Sequence, residues 1–290
     1  MKNILFFAVF LLISAALIAA EADKNKEIRK SEQSFPLENA TSVSAKVNVS
    51  VANVIIEKAG GNDAFAGEFS FLEEPPRIEY RTEGDEGKLR LHFGETVNHN
   101  GNNKDIDFDE FKDWVCRLAF TDRVPLSLDF KLEIAKADWD LGGFQISELE
   151  IASAVSDLRI DFSKPNPIRM DDMDIESGVG EMTLRRIGNA NIERLDFEGG
   201  LGEYTFYFDG KMTGNMSANL EIGMGKLTIY LPQNIGVRIR MEDSFLTSVS
   251  VHDMRKNGDY YTNALWNSNR PQLDIRVDAG VSKVEVEWLD

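Results

Sequence analysis

A twelve-residue pattern of apolar and polar positions recurs about seven times along the chain. It reads apolar-x-apolar-x-x-small-apolar-small-x-apolar-x-apolar, and its clearest copies end in VGEMTL (179–184), LGEYTF (201–206) and MGKLTI (224–229). The spacing between copies is close to 22 residues. A repeat of this length cannot bury its apolar face alone, whereas stacked copies can. The pattern therefore predicts stacked β units.

Two strands and a corner are needed to bring apolar positions 1, 3, 10 and 12 of one copy into one core. The small residues at positions 6 and 8 supply that corner, because glycine tolerates a sharp bend and lets neighbouring backbones approach closely. The predicted corner glycines are Gly178, Gly180, Gly200, Gly202, Gly223, Gly225 and Gly280. The sequence thus predicts an all-β, single-stranded β-solenoid with short rungs of roughly 19–24 residues.

Two details of the repeat are less regular. In the copy after residue 124, we assign Phe130 to position 1 and Ala135 to position 6. The long gap between Met224 and Val281 leaves room for degenerate rungs, and its polar, aromatic segment 257–271 is predicted to be a surface excursion.

The chain before the solenoid divides into three further regions. Residues 1–22 have the features of a signal peptide, residues 23–40 are predicted to be a flexible leader, and residues 41–123 form an N-terminal β module. The β-solenoid repeat region is then predicted to occupy residues 124–290. Alternating apolar and polar residues predict the strands of the β module, because this alternation is typical of half-buried strands.

The N-terminal pattern predicts export. Lys2 precedes an apolar run over residues 4–18, and Ala20-Glu21-Ala22 resembles a cleavage site. A membrane anchor is the alternative, but the run is short for a bilayer span of roughly 20 residues. We therefore predict a periplasmic or extracellular protein, with no direct membrane insertion after signal cleavage.

Charge and cysteine content exclude several classes of protein. The formal net charge is −17, which argues against nucleic-acid binding and against docking on anionic lipid. Cys116 is the only cysteine, so no intrachain disulfide can form. It lies in the apolar run WVCRLAF and is expected to be a small buried residue.

The glycine corners resemble those of toast-rack domains, which are short β-solenoids of bacterial envelope proteins. The segments LTIYLPQNIGVRIRM (227–241) and VSVANVIIEKAGGNDAFAGEF (49–69) are also similar to that family. The family includes the C-terminal domain of LiaF-like envelope stress proteins and adhesin-like envelope proteins of unknown function. The resemblance covers roughly residues 43–290; it implies the fold and supplies no catalytic residues. The chain lacks the multi-pass membrane domain of LiaF-like proteins.

Outward positions of the repeat carry acidic residues on successive copies. Position 2 holds Glu150, Asp174 and Asp196, and position 4 holds Glu176, Glu198 and Glu221. Stacked in register, these carboxylates would form columns that repel by roughly 1 kcal/mol per pair in water. A face for calcium or a cationic ligand is one hypothesis, and an ordinary charged outer surface is the alternative. The acidic segment 105–113 lacks the Gly and Glu of a calcium loop, so we predict no metal site and no cofactor.

A second candidate contact surface is aromatic. Tyr260, Tyr261 and Trp266 lie in the polar excursion, where aromatic rings beside Asn and Ser suit recognition. The alternative is a cap over the open end of the solenoid, which needs covering.

Motifs of catalysis are absent from the sequence. It contains no G-x-S-x-G, H-E-x-x-H or C-x-x-C, so we predict no catalytic residues. The predicted function is an exported, non-enzymatic binding or scaffolding module of the bacterial cell envelope, whose partner is an envelope protein or cell-surface ligand. A cation-dependent adhesion or matrix module and a carbohydrate-active enzyme on a β-helix are the alternatives.

Overall fold

The computed structural model describes residues 28–72, 74–94, 113–241 and 247–289. The predicted signal peptide, the first residues of the predicted leader and most of the acidic segment 105–113 lie outside these ranges. The described residues form one 16-stranded sheet and a short 3-10 turn at Ile187–Ala190. The strands in chain order are β1 (Arg29–Pro36), β2 (Ser42–Lys58), β3 (Asp63–Phe71), β4 (Arg77–Glu83), β5 (Glu86–Phe93), β6 (Val115–Phe120), β7 (Leu126–Asp140), β8 (Ile146–Asp161), β9 (Met170–Arg185), β10 (Ile192–Tyr207), β11 (Met216–Leu231), β12 (Gly236–Met241), β13 (Thr247–Val251), β14 (Arg255–Asn257), β15 (Tyr260–Thr262) and β16 (Gln272–Trp288).

Seven long parallel strands carry the repeat, and they stack in the order β2, β7, β8, β9, β10, β11, β16. Equivalent residues lie beside each other on neighbouring strands. Successive rungs from β7 to β11 follow after 21, 24, 22 and 23 residues, measured at Leu128, Leu149, Met173, Leu195 and Ala218. The predicted all-β solenoid with short rungs is therefore confirmed.

Each long strand changes its side-chain phase at the corner. In β10, Leu195 and Phe197 point inward before the bend, and Tyr204 and Phe206 point inward after it. The two halves of the strand can share one core only because the alternation shifts by one residue near Gly200. The ring of Phe197 packs against the rings of Tyr204 and Phe206, each at a centroid distance of 4.9 Å.

The loops that return the chain to the next rung close the core, and buried asparagines hold them. The Asn166 Nδ2 donates to the carbonyl oxygens of Ile146 at 2.7 Å and Ala190 at 3.1 Å. The Asn189 Nδ2 donates to the carbonyl oxygen of Phe162 at 2.8 Å. These bonds join consecutive rungs at their loop ends and satisfy backbone carbonyls there.

At the N-terminal end the structure differs from the predicted flexible leader over residues 23–40. Arg29–Pro36 forms β1, which pairs antiparallel with β3. The Phe35 ring lies 6.5 Å from the Phe65 ring and 5.7 Å from the Tyr80 ring. The leader segment thus covers an otherwise open edge of β3, and edge pairing of this kind does not need strong apolar periodicity.

The C-terminal strand occupies an inner place in the sheet. β16 lies between β11 and the pair β12 and β13, although both precede it in the chain. Met224 of β11 pairs directly with Val281 of β16, and the degenerate rung predicted between them in sequence is formed by β12 and β13, which pair with β16 on its other side. The chain between β11 and β16 first forms the terminal rung, and β16 then inserts between that rung and β11.

The predicted register of one copy is also wrong. In β7 the residue beside Leu149 is Leu128, and Phe130 lies beside Ile151. Ala135 pairs with Ser156, which places it at position 8 of the repeat. A slip of two residues keeps every side chain on its own face, so the apolar pattern alone could not detect it.

Candidate docking surface

The apolar residue at position 7 of the repeat points outward from the corner. It lies between the small residues at positions 6 and 8, and in β10, β11 and β16 it is Leu201, Met224 and Val281. Their exposed fractions are 45%, 50% and 50%. With the half-buried residues of the two preceding rungs they form a continuous row, which we call the corner ridge: Val155, Val179, Leu201, Met224 and Val281.

Close contact between neighbouring rungs explains the glycines that stand beside the ridge residues. A Cβ atom on Gly202 would lie about 1.9 Å from the carbonyl oxygen of Gly180, and one on Gly200 about 2.3 Å from that of Gly178. Gly180 and Gly225 also have φ angles of 142° and 132°, which favour glycine. Because no side chains stand at these positions, the ridge side chains project without lateral cover.

The same row is buried at its N-terminal end. Val51 in β2 and Ile134 in β7 continue the ridge and are 3% and 5% exposed. Gly94, at the end of β5, approaches Ser50 and Val51 so closely that its Cβ would lie about 3.1 Å from the Ser50 Cβ. The chain itself covers this end, whereas the ridge is bare from β10 to β16.

A column of carboxylates runs along one side of the ridge at position 4. Glu176, Glu198, Glu221 and Asp278 lie on four consecutive rungs and are all exposed; we call them the glutamate column. Among the residues that the structure describes, none of the four has a Lys or Arg partner within ion-pair distance. The glutamate column therefore has no direct ion pair among the described residues.

In the second predicted acidic column, at position 2, one residue of the three has partners. Glu150, Asp174 and Asp196 lie on consecutive rungs. Arg194 forms ion pairs with Asp172 and with Asp196, the latter at 3.5 Å, and the Asn219 amide donates to Asp196. Desolvation, together with the charges of Asp196, Asp172 and Glu150, raises the pKa of Asp174 above its ordinary value.

The opposite side of the ridge is mixed in charge. Glu181 and Glu203 are followed on the next rungs by Lys226 and Lys283. Both ammonium groups contact Glu285, at 2.7 and 2.5 Å, and their hydrogen bonds lower the pKa of this carboxyl to about 2. The cations on this side are therefore already paired.

The acidic columns do not assemble a metal site in the described parts of the chain. No group of three or more His, Cys, Asp or Glu side chains there is placed to hold a metal ion. Carboxylates on neighbouring rungs point outward side by side, whereas calcium needs six to eight oxygens converging on one point.

The predicted aromatic surface lies on the terminal rung. β15 pairs antiparallel with β12 and carries Tyr260, which is exposed, and Tyr261, which is half-buried against the core. The Arg238 guanidinium lies 5.3 Å from the Tyr260 ring centre and 4.7 Å from that of Trp266, and it also pairs with Asp274. The rings of Tyr260 and Trp266 thus contact Arg238 within the fold.

The corner ridge is the feature that the sequence reasoning missed. The central apolar residues Val179, Leu201 and Met224 were visible as part of the repeat, but they indicated architecture alone. The signal that could have revealed their exposure is their place in the corner: position 7 lies between the small residues at positions 6 and 8 and is out of phase with positions 10 and 12. Because the strand bends there, sharing the phase of positions 1 and 3 does not make position 7 face the core.

None of the helices in the described residues has the length and hydropathy of a membrane-crossing segment.

Comparison with known families decides the classification. The family model for the N-terminal domain of toast-rack proteins, DUF2154, matches residues 23–185, which is more than half of the chain. The chain belongs to this family. The match also spans the predicted boundary between the β module and the solenoid, where β2 and β7 pair directly. No functionally curated protein sequence matches this toast-rack protein.

Several solved structures are similar to this chain at low identity. One, from Clostridium sporogenes, is provisionally described as a cell adhesion protein; it is 15% identical over 91% of this chain and 100% of that one, with a TM-score of 0.47. Another, from Bacteroides fragilis, is provisionally described as an adhesin and is 8% identical over 90% and 98%, with a TM-score of 0.38. A third, from Parabacteroides distasonis, is provisionally described as a lipid-binding protein, at 11% identity over 90% and 97% and a TM-score of 0.35.

Proposed function

We propose that this toast-rack protein is exported to the bacterial cell envelope and acts there as a non-enzymatic binding or scaffolding module. Its docking surface is the bare part of the corner ridge together with the glutamate column. One observation carries the proposal: of five exposed large apolar side chains in the described residues, Leu201, Met224 and Val281 lie on adjacent rungs. Scattered exposed apolar residues need no explanation, whereas a contiguous row marks an interaction site.

The surface is suited to contact more than to chemistry. A convex row of aliphatic side chains offers area for van der Waals contact and no group that transfers a proton or attacks a substrate. The parallel strands beneath it are hydrogen-bonded on both sides from β8 to β16, so the row is held on a rigid support. Such rigid, repeating surfaces are what solenoid proteins use for binding.

Export is supported by the sequence of residues 1–22, with its basic start, apolar run and Ala-x-Ala end. The proposed location is periplasmic or extracellular, and the proposed partner is an envelope protein or a cell-surface ligand. Mass spectrometry of the protein from an envelope or secreted fraction should show a chain that begins at Asp23. Recovery of the unprocessed chain from the cytoplasm alone would contradict this part of the proposal.

The docking surface can be tested with a photo-activatable crosslinker at Met224→Cys in the native host. The labelling is selective, because Cys116 is fully buried and its burial raises the pKa of its thiol far above the usual range. Lys164→Cys, exposed in the loop between β8 and β9, is the matched control.

We expect one identified protein or glycan adduct from position 224 that is not formed from position 164. The adduct should disappear when Leu201→Ser is added, because the neighbouring side chain belongs to the same contact. Adducts that are equal at both positions, or that persist in the double variant, would overturn the proposed docking surface.

A further inference from the structure

We infer that the partner of this surface is a cationic amphipathic α-helix that lies along the solenoid axis. Its apolar stripe contacts the corner ridge, and a neighbouring row of Lys or Arg faces the glutamate column. This inference deepens the proposed function and rests on it.

The charge of the glutamate column favours a cationic partner. At position 2, Asp196 has Arg194 and Asn219 as partners, whereas the four carboxylates of the glutamate column have no cationic partner among the described residues. Exposed like charges about 5 Å apart repel by roughly 1 kcal/mol per pair in water. A partner with cations at the same spacing relieves this repulsion, and the column would also steer its approach.

The spacing of the rungs favours a helix over an extended strand. Neighbouring rungs of a parallel sheet are about 4.8 Å apart. One helical turn advances about 5.4 Å, so over three rung steps a helix runs ahead of the ridge by less than about 2 Å. Alternate residues of an extended strand are about 6.6 Å apart, so a strand laid along the same axis would run ahead by more than about 5 Å. The rise per turn of a helix therefore matches the spacing of the side chains in the corner ridge and in the glutamate column.

The size of the bare surface favours a short partner over a second copy of the chain. The three bare side chains expose on the order of 250 Å² of apolar surface, well below the roughly 800 Å² per partner of a stable protein interface. A second copy meeting ridge to ridge would also bring two acidic surfaces together. An anionic lipid surface is disfavoured for the same reason. A short cationic helix fits both the small apolar area of the ridge and the negative charge beside it.

The covered end of the ridge limits where the helix can lie. Val51 and Ile134 are already buried, so the accessible part runs from Val155 in β8 to Val281 in β16. Four rung steps of about 4.8 Å span about 19 Å, the length of about 13 helical residues. An 18-residue helix is therefore long enough to occupy the whole site.

The test uses the mature full chain and a synthetic 18-residue peptide of Leu, Ala and Lys with one Leu stripe beside one Lys stripe. Calorimetry compares the wild type with Glu198→Gln/Glu221→Gln on the glutamate column. The matched control is Glu181→Gln/Glu203→Gln, which removes the same charge from the same neighbourhood on the other side of the ridge. The substituted carboxylates are exposed, and circular dichroism checks that each variant folds.

We expect the glutamate-column variant to bind the peptide at least tenfold more weakly at low salt, and the control variant to stay within about twofold of the wild type. A peptide with Glu in place of Lys should not bind. Equal losses in the two variants would show non-specific attraction and overturn the inference.

Two further outcomes separate this inference from the proposed function. If the adduct at position 224 still depends on Leu201 but the glutamate-column variant forms it normally, the docking surface stands and the cationic helix is wrong. If the wild type dimerises in light scattering through Leu201 and Met224, or binds phosphatidylglycerol vesicles more tightly than the peptide, the occupant is a second copy or lipid, and the inference fails.

Discussion

The corner ridge has a covered end and a bare end, and the same repeat position serves a different purpose in each. In β2 and β7 the residue at position 7 is buried, and Gly94 at the end of β5 closely approaches Val51. In β10, β11 and β16 it is about half exposed between glycines. The repeat therefore determines the backbone geometry at position 7, whereas other segments of the same chain determine whether the side chain there is covered. One row of residues can therefore stabilise the fold at one end and present a contact surface at the other.

The corner glycines differ between the two ends, and substituting one should have the largest effect. The bend of β2 carries Ser50 and Ala52, whereas that of β10 carries Gly200 and Gly202. In Gly202→Ala, the new Cβ would lie about 1.9 Å from the Gly180 carbonyl oxygen, so the rungs must separate. We expect a loss of on the order of 3 kcal/mol in the free energy of unfolding, measured by urea denaturation.

Gly60→Ala is the control for this substitution. Gly60 lies in a turn, and a Cβ there would have no neighbour within 4 Å. Its stability should change by less than about 0.5 kcal/mol. Similar losses in both variants would mean that glycine acts at the corner through chain entropy, and that close approach of the rungs is not the reason for it.

Truncation of the ridge side chain should separate the two ends directly. Ile134→Ala removes a buried side chain at the covered end and should cost about 2–4 kcal/mol of stability. Met224→Ala removes an exposed one at the bare end and should cost less than about 0.5 kcal/mol. Urea unfolding of the two variants measures the difference. A large loss in Met224→Ala would show that the bare ridge packs onto the fold and is not free for a partner.

Much of the fold could be predicted from the sequence because its strongest determinants are local. The alternating apolar residues and the small residues at positions 6 and 8 predict both the stacked rungs and the corner. The place of β16 could not be predicted, because Val281 would fit equally well after β11 or at the end of the solenoid. The strand β1 was missed because its pairing depends on the edge of β3, which the sequence of residues 29–36 does not reveal.

The site was only partly predictable. The two acidic columns follow from the repeat, and the structure places their residues on consecutive rungs. The sequence does not predict that Asp196 in one column has a cationic partner and that the glutamate column has none. That difference depends on where the Arg194 side chain lies relative to the neighbouring rungs. The exposure of Leu201 and Met224 depends on which part of the chain covers the corner, and this is a tertiary property.

The smallest effect concerns Asp174 in the acidic column at position 2, and it depends on pH. The pKa of Asp174 is raised in the folded protein, by desolvation and then by the charges of Asp196, Asp172 and Glu150. The folded state therefore binds this proton more tightly than the unfolded state, and stability falls as the pH rises through the raised pKa. Asp174→Asn removes the ionised group, so at pH 7 we expect the Tm to rise by about 1 °C.

The gain should disappear below about pH 3.8, the ordinary value of an aspartate, where Asp174 is protonated in both states. Asp171→Asn, an exposed carboxylate on the same strand but outside the column, is the control and should give no gain. A gain that persists at pH 3, or that is equal at both positions, would mean that stacked charge is not its source. The acidic column at position 2 would then give no measure of the repulsion within the glutamate column. The case for a cationic partner would rest on the corner ridge and its spacing alone.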